Sequence, residues 1–238
     1  MSISLKVISL LLSYPTEELQ EAVPELKAAL ASDTLIGERE KALLGALADG
    51  IAALDLYDAQ ERYVYLFDRT RVLSLHLFEH VHGESRDRGQ AMVDLMAMYE
   101  NAGFEVDSKE LPDYLPLFLE FLSTQPEAQA RELLGQTVHI VSALRERLRK
   151  RKSIYGNAVR VLEAIARGKA DPAVLAELLK GPDDNPDDLE ALDRIWEEEA
   201  VTFGGGATAA ACGADRIRTQ MRAAQRRPDA QPSTDIKA

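Results

Sequence analysis

The stretch LFEHVHGESRDRGQAMVDL, residues 77 to 95, combines two histidines, two arginines and four acidic residues, so its side chains could do chemistry. His76 precedes it directly. On a helix His76 and His80 would share a face and could bind one metal ion, whereas His82 would lie about 200° around from His80. The third ligand would have to be a neighbouring carboxylate or a distant residue. The sequence therefore predicts no metal site. A metal site that uses His76 and His80 is the alternative.

Other catalytic chemistries lack their required residues. The chain contains no GxxxxGK phosphate-binding loop, and the GGG at residues 204 to 206 has no following lysine. Ser85 lies near His82, but a serine that caps a helix uses its hydroxyl on the backbone. Cys212 has no base beside it in the sequence. The residues alone therefore support none of these catalytic motifs.

The simplest interpretation of the stretch is a joint between two helices. Residues 72 to 82 would form a helix that ends at Gly83, and Ser85 would cap the next helix. His80 and His82 would then occupy the last turn, where the helix dipole favours a positive charge. No ligand is needed to explain either histidine in this interpretation.

A joint between two helices does not by itself explain Arg86 and Arg88, because the helix dipole disfavours cations in the first turn of a helix. They need carboxylate partners, for which the candidates are Asp68, Glu79, Glu84 and Asp87. Gly89 costs about 1 kcal/mol relative to alanine inside a helix, which predicts a close backbone approach there. Met92, Met96 and Tyr99 follow at spacings of four and three, a face that either receives a partner helix or packs in the core.

The remaining elements also follow a helical period, so the predicted fold is all-α. Thr16 is a predicted N-cap, Pro24 divides the helix that follows it, and Asp58 forms a capping box with Glu61. Asp113 is the predicted N-cap of a helix over residues 114 to 122, with Pro116 in its first turn. Residues 126 to 152 form one helix or two separated at Gly135, Asp171 caps a helix that ends at Gly181, and residues 188 to 203 form the last helix.

Composition limits the possible functions further. The 238 residues are 46% hydrophobic, include one cysteine and carry a net charge of −12. No run of about 18 apolar residues could cross a bilayer, and the opening MSISLKVISLLLSYP predicts a core helix rather than a signal peptide. Residues 1 to 206 hold 22 basic and 37 acidic residues, a charge of −15 that disfavours nucleic acid and favours basic partners. We expect a cytoplasmic location.

Two long runs resemble a known family: YVYLFDRTRVLSLHLFEHVHGESRDRGQAMVDLMAMYENAG at residues 63 to 103, and ELPDYLPLFLEFL at residues 110 to 122. They are similar to the NarJ family of respiratory nitrate reductase assembly chaperones, within the wider group that includes TorD and DmsD. The opening fifteen residues and WEEEAVTF at 196 to 203 are similar as well. The resemblance implies one all-helical bundle over residues 1 to 203. Residues 204 to 238 depart from the family pattern, and their low complexity with few large apolar side chains predicts a disordered tail.

What the resemblance implies about function is a chaperone without catalytic activity or a stably bound cofactor. Such proteins bind the basic N-terminal segment of the apo catalytic subunit and keep it competent for molybdenum cofactor insertion. They also time its docking to the membrane subunit and are absent from the finished enzyme. Cofactor-delivery proteins are further candidate partners. The alternatives are a chaperone for a related molybdoenzyme, or a metal-binding or regulatory scaffold.

The family's signature region predicts where the client binds. It maps onto Phe67, Asp68, Arg69, Phe78, Glu79, His80, His82, Gly83, Glu84, Ser85, Arg86, Asp87, Arg88, Gln90, Glu110, Pro112, Asp113, Tyr114 and Pro116. To these the residue pattern adds Met92, Met96 and Tyr99. Asp68, Glu79, Glu84 and Asp113 would supply negative potential. Phe78, Tyr114 and the methionine face would supply apolar contact.

Overall fold

Local sequence signals determine where many of the helices begin and end. The computed structural model describes residues 2–82, 86–106 and 110–180. Within these ranges the helices are α1 Ile3–Leu11, α2 Glu17–Glu21, α3 Val23–Ser32, α4 Glu38–Ala52, α5 Leu56–Phe67, α6 Glu79–His82, α7 Arg86–Asn101, α8 Leu115–Thr124, α9 Glu127–Gln136, α10 Val138–Lys150, α11 Gly156–Ile165 and α12 Pro172–Leu178, with a 3₁₀ turn at Arg71–Leu73. The all-α prediction is confirmed, since the described residues form no strand and only an isolated bridge between His76 and Tyr114.

Several predicted helix boundaries are confirmed by cap geometry. The Thr16 side chain accepts from the Leu19 N–H at the start of α2, and the Asp171 side chain accepts from the Ala173 N–H at the start of α12. Pro24 lies in the first turn of α3, which separates it from α2. These signals act within a few residues, so the sequence alone carries them.

Two predicted caps are wrong. The N-cap of α5 is Asp55, whose carboxylate accepts from the Tyr57 N–H, so Asp58 lies inside the helix. The N-cap of α8 is Tyr114, without a side-chain bond, because the Asp113 carboxylate bonds elsewhere. The interruption predicted at Gly135 falls between α9 and α10, at Thr137.

The core lies between two antiparallel helix pairs. Helix α1 runs antiparallel to α8, since the Ser2 N–H donates to the Ser123 carbonyl while the Ser9 hydroxyl donates to the Pro116 carbonyl. Helix α10 packs on α11, and α11 packs on α4. Fully buried leucine, valine and aromatic side chains fill the space between these helices. Helices α1, α10 and α11 each contribute an apolar side to this core, which accounts for the helical period of their sequences.

No helix among the described residues is long and apolar enough to span a membrane. The predicted Gly181 helix end, the helix over 188 to 203 and the tail over 204 to 238 lie outside the described residues, as do Gly83, Glu84 and Ser85.

Candidate functional site

A buried carboxylate organises the candidate site. Asp113 is 0% exposed; its Oδ2 accepts from the Phe78 N–H at 3.0 Å, and its Oδ1 lies 3.2 Å from the His76 Nδ1. Its backbone carbonyl accepts from the Leu77 N–H at 3.0 Å. We call Asp113, His76, Leu77 and Phe78 the Asp113 cluster. Because a buried carboxylate needs several donors, this cluster ties residues 76 to 78 to the loop before α8.

The Asp113 cluster shows that the helix predicted over residues 72 to 82 is wrong. The Leu115 N–H donates to the Leu75 carbonyl at 2.8 Å, and His76 pairs with Tyr114 in an isolated bridge. Only the 3₁₀ turn at Arg71–Leu73 and the short α6 are helical in this region. The backbone between them bonds to the loop at 113 to 115, which competes with the helical pattern that the apolar spacing favours.

His76 and His80 consequently have different environments. The hydrogen bond with Asp113 raises the pKa of His76, and the charges of Asp113, Glu79 and Glu110 act in the same direction against partial burial. Burial lowers the pKa of His80, although the bond between its Nε2 and the Ser74 carbonyl at 2.8 Å opposes this. His76 is therefore favoured in its charged form and His80 in its neutral form.

The same geometry weakens the metal-binding alternative. His76 and His80 do not share a helix face, since His76 precedes α6 and its Nδ1 faces Asp113. The Nε2 of His80 is occupied by the Ser74 carbonyl. Among the residues that the structure describes, no three His, Cys, Asp or Glu side chains lie together in a way that could hold a metal ion.

An aromatic group beside the Asp113 cluster contains two predicted site residues, Phe67 and Tyr114, and two that were not predicted, Tyr63 and Tyr155. The hydroxyls of Tyr114 and Tyr63 lie 2.7 Å apart, and the Tyr63 hydroxyl donates to the Leu12 carbonyl at 2.9 Å. The ring of Tyr63 lies 5.0 Å from that of Phe67, which contacts Tyr155 at the same distance. The only sequence signal for this aromatic group is the spacing of Tyr63 and Phe67, which places both on one helix face. Tyr63 thus anchors Tyr114, whose ring lies against His76 at 5.4 Å.

Tyr99, predicted as a contact residue, belongs to the support of the site. It is 0% exposed, its hydroxyl donates to the Pro112 carbonyl at 2.7 Å, and its ring packs 4.7 Å from Phe121. It therefore holds the loop before α8 against α7. Met92 and Met96 are half-buried and pack on the core, with part of each side chain still accessible.

The expectations for the start of α7 have mixed outcomes. The predicted need of Arg88 for a carboxylate is confirmed, since its Nη2 lies 3.2 Å from the Glu79 Oε1. The close approach predicted at Gly89 is wrong for the part of the chain that the structure describes, because a Cβ there would meet nothing within 4 Å. The side chains of His82 and Arg86 lie outside the described part of the chain.

Burial sorts the remaining predicted residues into surface and support. Exposed side chains belong to Asp68, Arg69, Asp87, Gln90 and Glu110. Half-buried side chains belong to Glu79, His80, Arg88, Met92, Met96 and Tyr114. Buried side chains belong to Phe67, Phe78, Tyr99, Pro112, Asp113 and Pro116. Glu79, Glu110 and Tyr114 lie beside His76 at the edge of the Asp113 cluster, and we call these three residues the acidic and aromatic rim.

A small apolar pocket adjoins this rim. Leu77 and Phe78 of the Asp113 cluster line it together with Leu95 and Met98 of α7 and Ile140 of α10. The pocket has a volume of only about 20 Å³, which is room for about one water molecule, so a partner's side chain could not enter it in this conformation.

Comparisons with known proteins identify the family of this chain. The family model described as nitrate reductase delta subunit matches residues 14–159, a span that includes the Asp113 cluster and the aromatic group. The nitrate reductase molybdenum cofactor assembly chaperone NarJ of Escherichia coli K12 is 43% identical over 203 residues, covering 84% of this chain and 85% of the relative.

Two further relatives carry similar names. The probable assembly chaperone NarW of Escherichia coli K12 is 40% identical over 199 residues, which cover 84% of this chain and 83% of NarW. The probable NarJ of Bacillus subtilis is 36% identical over 163 residues, which cover 68% of this chain and 87% of that protein. Because the family model spans more than half of the sequence and these relatives match over most of their length, the chain belongs to the nitrate reductase delta subunit family.

Proposed function

We propose that this chain is an assembly chaperone of respiratory nitrate reductase, without catalytic activity of its own. The observation that carries the proposal is the similarity to NarJ over 84% of the chain, since it includes the whole candidate site. The chaperone keeps the apo catalytic subunit competent for molybdenum cofactor insertion and times its docking to the membrane subunit. It does so in the cytoplasm and leaves before the enzyme is complete.

The client contact in this proposal is the basic N-terminal segment of the catalytic subunit. The acidic and aromatic rim supports it: Glu79 and Glu110 both act on the charge of His76, so both lie near the exposed edge of the Asp113 cluster. An amphipathic basic segment could place its cations on this rim and its apolar side against Tyr114, Met92 and Met96, which are half-buried. The buried residues of the site would fix the rim's shape without touching the client.

Isothermal titration with a peptide of the client's N-terminal segment tests this contact. Reversal of two exposed acids in Asp68→Lys/Glu110→Lys should weaken binding about tenfold, since each charge contributes about 0.5–1 kcal/mol at a partly exposed position. The control variant Glu25→Lys/Glu132→Lys makes the same charge change at exposed positions on α3 and α9. Equal affinity of the two variants would reject the electrostatic contact, and no binding by the unaltered protein would reject the client segment.

A chaperone of a related molybdoenzyme is the nearest alternative. The names of the relatives favour nitrate reductase, and purification from cells grown on nitrate would separate the two. Retention of apo nitrate reductase supports the proposal, whereas retention of another molybdoenzyme alone contradicts it. The metal-binding scaffold has no comparable support, because His76 and His80 are engaged by Asp113 and Ser74.

A further inference from the structure

Tyr14 is an exposed aromatic residue next to the candidate site. It lies in the loop between α1 and α2 and is 46% exposed. Its ring packs edge-on against the ring of Tyr63, with the centroids 5.6 Å and the planes 86° apart. One part of the ring is therefore fixed by packing while the rest is accessible. A tyrosine held in this way offers a partner a large contact area that loses little side-chain freedom on binding.

The loop that carries Tyr14 is tied to α5 on both sides of this residue. The Tyr63 hydroxyl donates to the Leu12 carbonyl at 2.9 Å, and the Gln60 side-chain amide donates to the Pro15 carbonyl at 3.0 Å. Tyr63 and Gln60 are three positions apart and so lie on the same side of α5. The loop consequently follows this side of the helix, and the backbone on either side of Tyr14 has a defined position.

Tyr63 also connects Tyr14 with the acidic and aromatic rim. The Tyr114 hydroxyl donates to the Tyr63 hydroxyl at 2.7 Å, since the Tyr63 proton is used on the Leu12 carbonyl. Burial is the main cause that raises the pKa of both phenols, and the negative charge of Glu110 acts in the same direction. The Glu110 carboxylate therefore lies near both hydroxyls. Tyr14, Tyr114 and Glu110 are thus grouped around Tyr63.

The charged residues around Tyr14 are mostly acidic. Glu17 and Glu18 follow it in the first turn of α2, and Glu61 lies on α5 next to the residue that binds the loop; all three are exposed. Arg62 is the neighbouring cation on α5, and its charge acts on a different tyrosine. The face of an aromatic ring carries partial negative charge, and nearby carboxylates add to it. An exposed ring in such surroundings favours a cation over an anion.

We infer that Tyr14 belongs to the client-binding surface and that its exposed ring receives a lysine or arginine side chain of the client's basic N-terminal segment. This inference rests on the proposed function, because it names a further contact of the same client with the same surface. Basic residues three or four positions apart lie on one side of a helix, with Cβ atoms about 5–6 Å apart. A helical client segment could therefore place one cation on Tyr14 and another on the rim. Charge favours this occupant over a second copy of this chain, whose own net charge is −12.

Isothermal titration of the full-length protein with a synthetic peptide of the client's N-terminal segment tests the inference. Tyr14→Leu keeps an apolar side chain without the ring and should weaken binding about fivefold, as expected for loss of a cation from an exposed aromatic ring. Tyr14→Phe keeps the ring and should bind within about twofold of the unaltered protein. Tyr57→Leu is the control, since it removes a ring that is 79% exposed at the start of α5, and should have no effect.

Substitutions in the peptide identify the cation. Each peptide of a set would carry one lysine or arginine replaced by glutamine. For the peptide that lacks the cation bound by Tyr14, the unaltered protein and Tyr14→Leu should bind with nearly equal affinity, because the interaction is already lost. For the other peptides the difference of about fivefold should remain. Circular dichroism and thermal unfolding establish that each protein variant folds.

Three results would overturn the inference and leave the proposed function standing. The first is equal affinity of Tyr14→Leu and Tyr57→Leu, and the second is a loss of affinity that is the same for every peptide of the set. The third is a change in the oligomeric state of Tyr14→Leu on size-exclusion chromatography, which would assign Tyr14 to a contact between two copies of the chain. No binding of the peptide by the unaltered protein would instead reject the client segment, and the inference with it.

A second variant decides if Tyr14→Leu does not fold. Glu17→Lys/Glu18→Lys leaves the ring in place and should weaken binding about tenfold, because the reversed charges repel the cation. The control Glu25→Lys/Glu132→Lys makes the same charge change at exposed positions on α3 and α9 and should bind as the unaltered protein does. Equal affinity of these two variants would overturn the inference.

Discussion

The α10–α11 pair and the segment of residues 74 to 78 lie in the same core but are held in different ways. The helix pair bonds its own backbone internally and buries apolar side chains between its members. Residues 74 to 78 do not form such α-helical backbone hydrogen bonds. Their position depends on hydrogen bonds to the loop at 113 to 115, above all to the Asp113 carboxylate. Mutations should therefore act on the helix pairs mainly through shape and on the Asp113 cluster mainly through lost hydrogen bonds.

The largest effect is expected at Asp113. Replacement in Asp113→Ala leaves the buried Phe78 N–H and the His76 ring without their acceptor, which should destabilise the fold by about 3 kcal/mol. Asp113→Asn keeps one acceptor oxygen and should cost about half as much. Urea unfolding measures both, with Asp68→Ala at an exposed site as the control. A cost below about 0.5 kcal/mol for Asp113→Ala would show that the cluster does not hold the segment.

Shape should matter at Gly135 in α9. A Cβ at this position would lie 2.2 Å from the Arg167 carbonyl oxygen, which is backbone and cannot rotate away. Gly135→Ala should therefore destabilise by about 2 kcal/mol. Gly89→Ala in α7 is the matched control, since its Cβ would meet no described residue within 4 Å, and should stabilise by about 0.5–1 kcal/mol. Equal unfolding midpoints for the two variants would contradict the packing around Gly135.

The two histidines should give stability opposite dependences on pH. The pKa of His76 is raised above 6.5 in the folded state. The stabilisation that this residue adds to the folded state is therefore present below pH 6.5 and is lost as the pH rises through the folded pKa. The folded state lowers the pKa of His80, so stability is lost as the pH falls below 6.5. Relative to the unaltered protein, the deficit of His76→Gln should shrink from pH 5.5 to pH 8, whereas that of His80→Gln should grow.

Unfolding measured at four pH values would resolve these opposite trends. Parallel pH profiles for the two variants would mean that the histidines share one environment, contrary to the geometry of the Asp113 cluster.

The smallest effect is expected for the pair of Glu79 and Arg88. Both side chains are about one quarter exposed and lie 3.2 Å apart. A double-mutant cycle with alanine at each position should give a coupling of about 0.5 kcal/mol. A coupling above about 2 kcal/mol would place this pair among the principal interactions of the site.

The sequence predicts most of the fold because most of its signals are local. Thr16, Pro24 and Asp171 act within four residues, and the apolar spacing of α1 or α10 is contained in the helix itself. The segment at 74 to 78 differs, since its bonds go to residues more than thirty positions later. No local pattern distinguishes it from a helix.

The candidate site also combines features that local sequence signals predict with features that depend on distant contacts. The pairing of Arg88 with a carboxylate was predictable from the helix dipole, and the resemblance supplied Asp113 and Tyr114 as site residues. Which of the predicted residues are exposed on the rim and which are buried beneath it was not predictable, because burial depends on how the helices pack. Tyr63 was missed because its bond to Tyr114 joins residues fifty-one positions apart.

The molybdenum content of nitrate reductase tests the assembly role most directly. The catalytic subunit would be purified from cells that lack this gene and from the same cells carrying it on a plasmid, and its bound molybdenum would be measured per polypeptide. We predict a nearly empty subunit without the gene and close to one molybdenum per subunit with it. Full loading in the absence of the gene would contradict the proposed function.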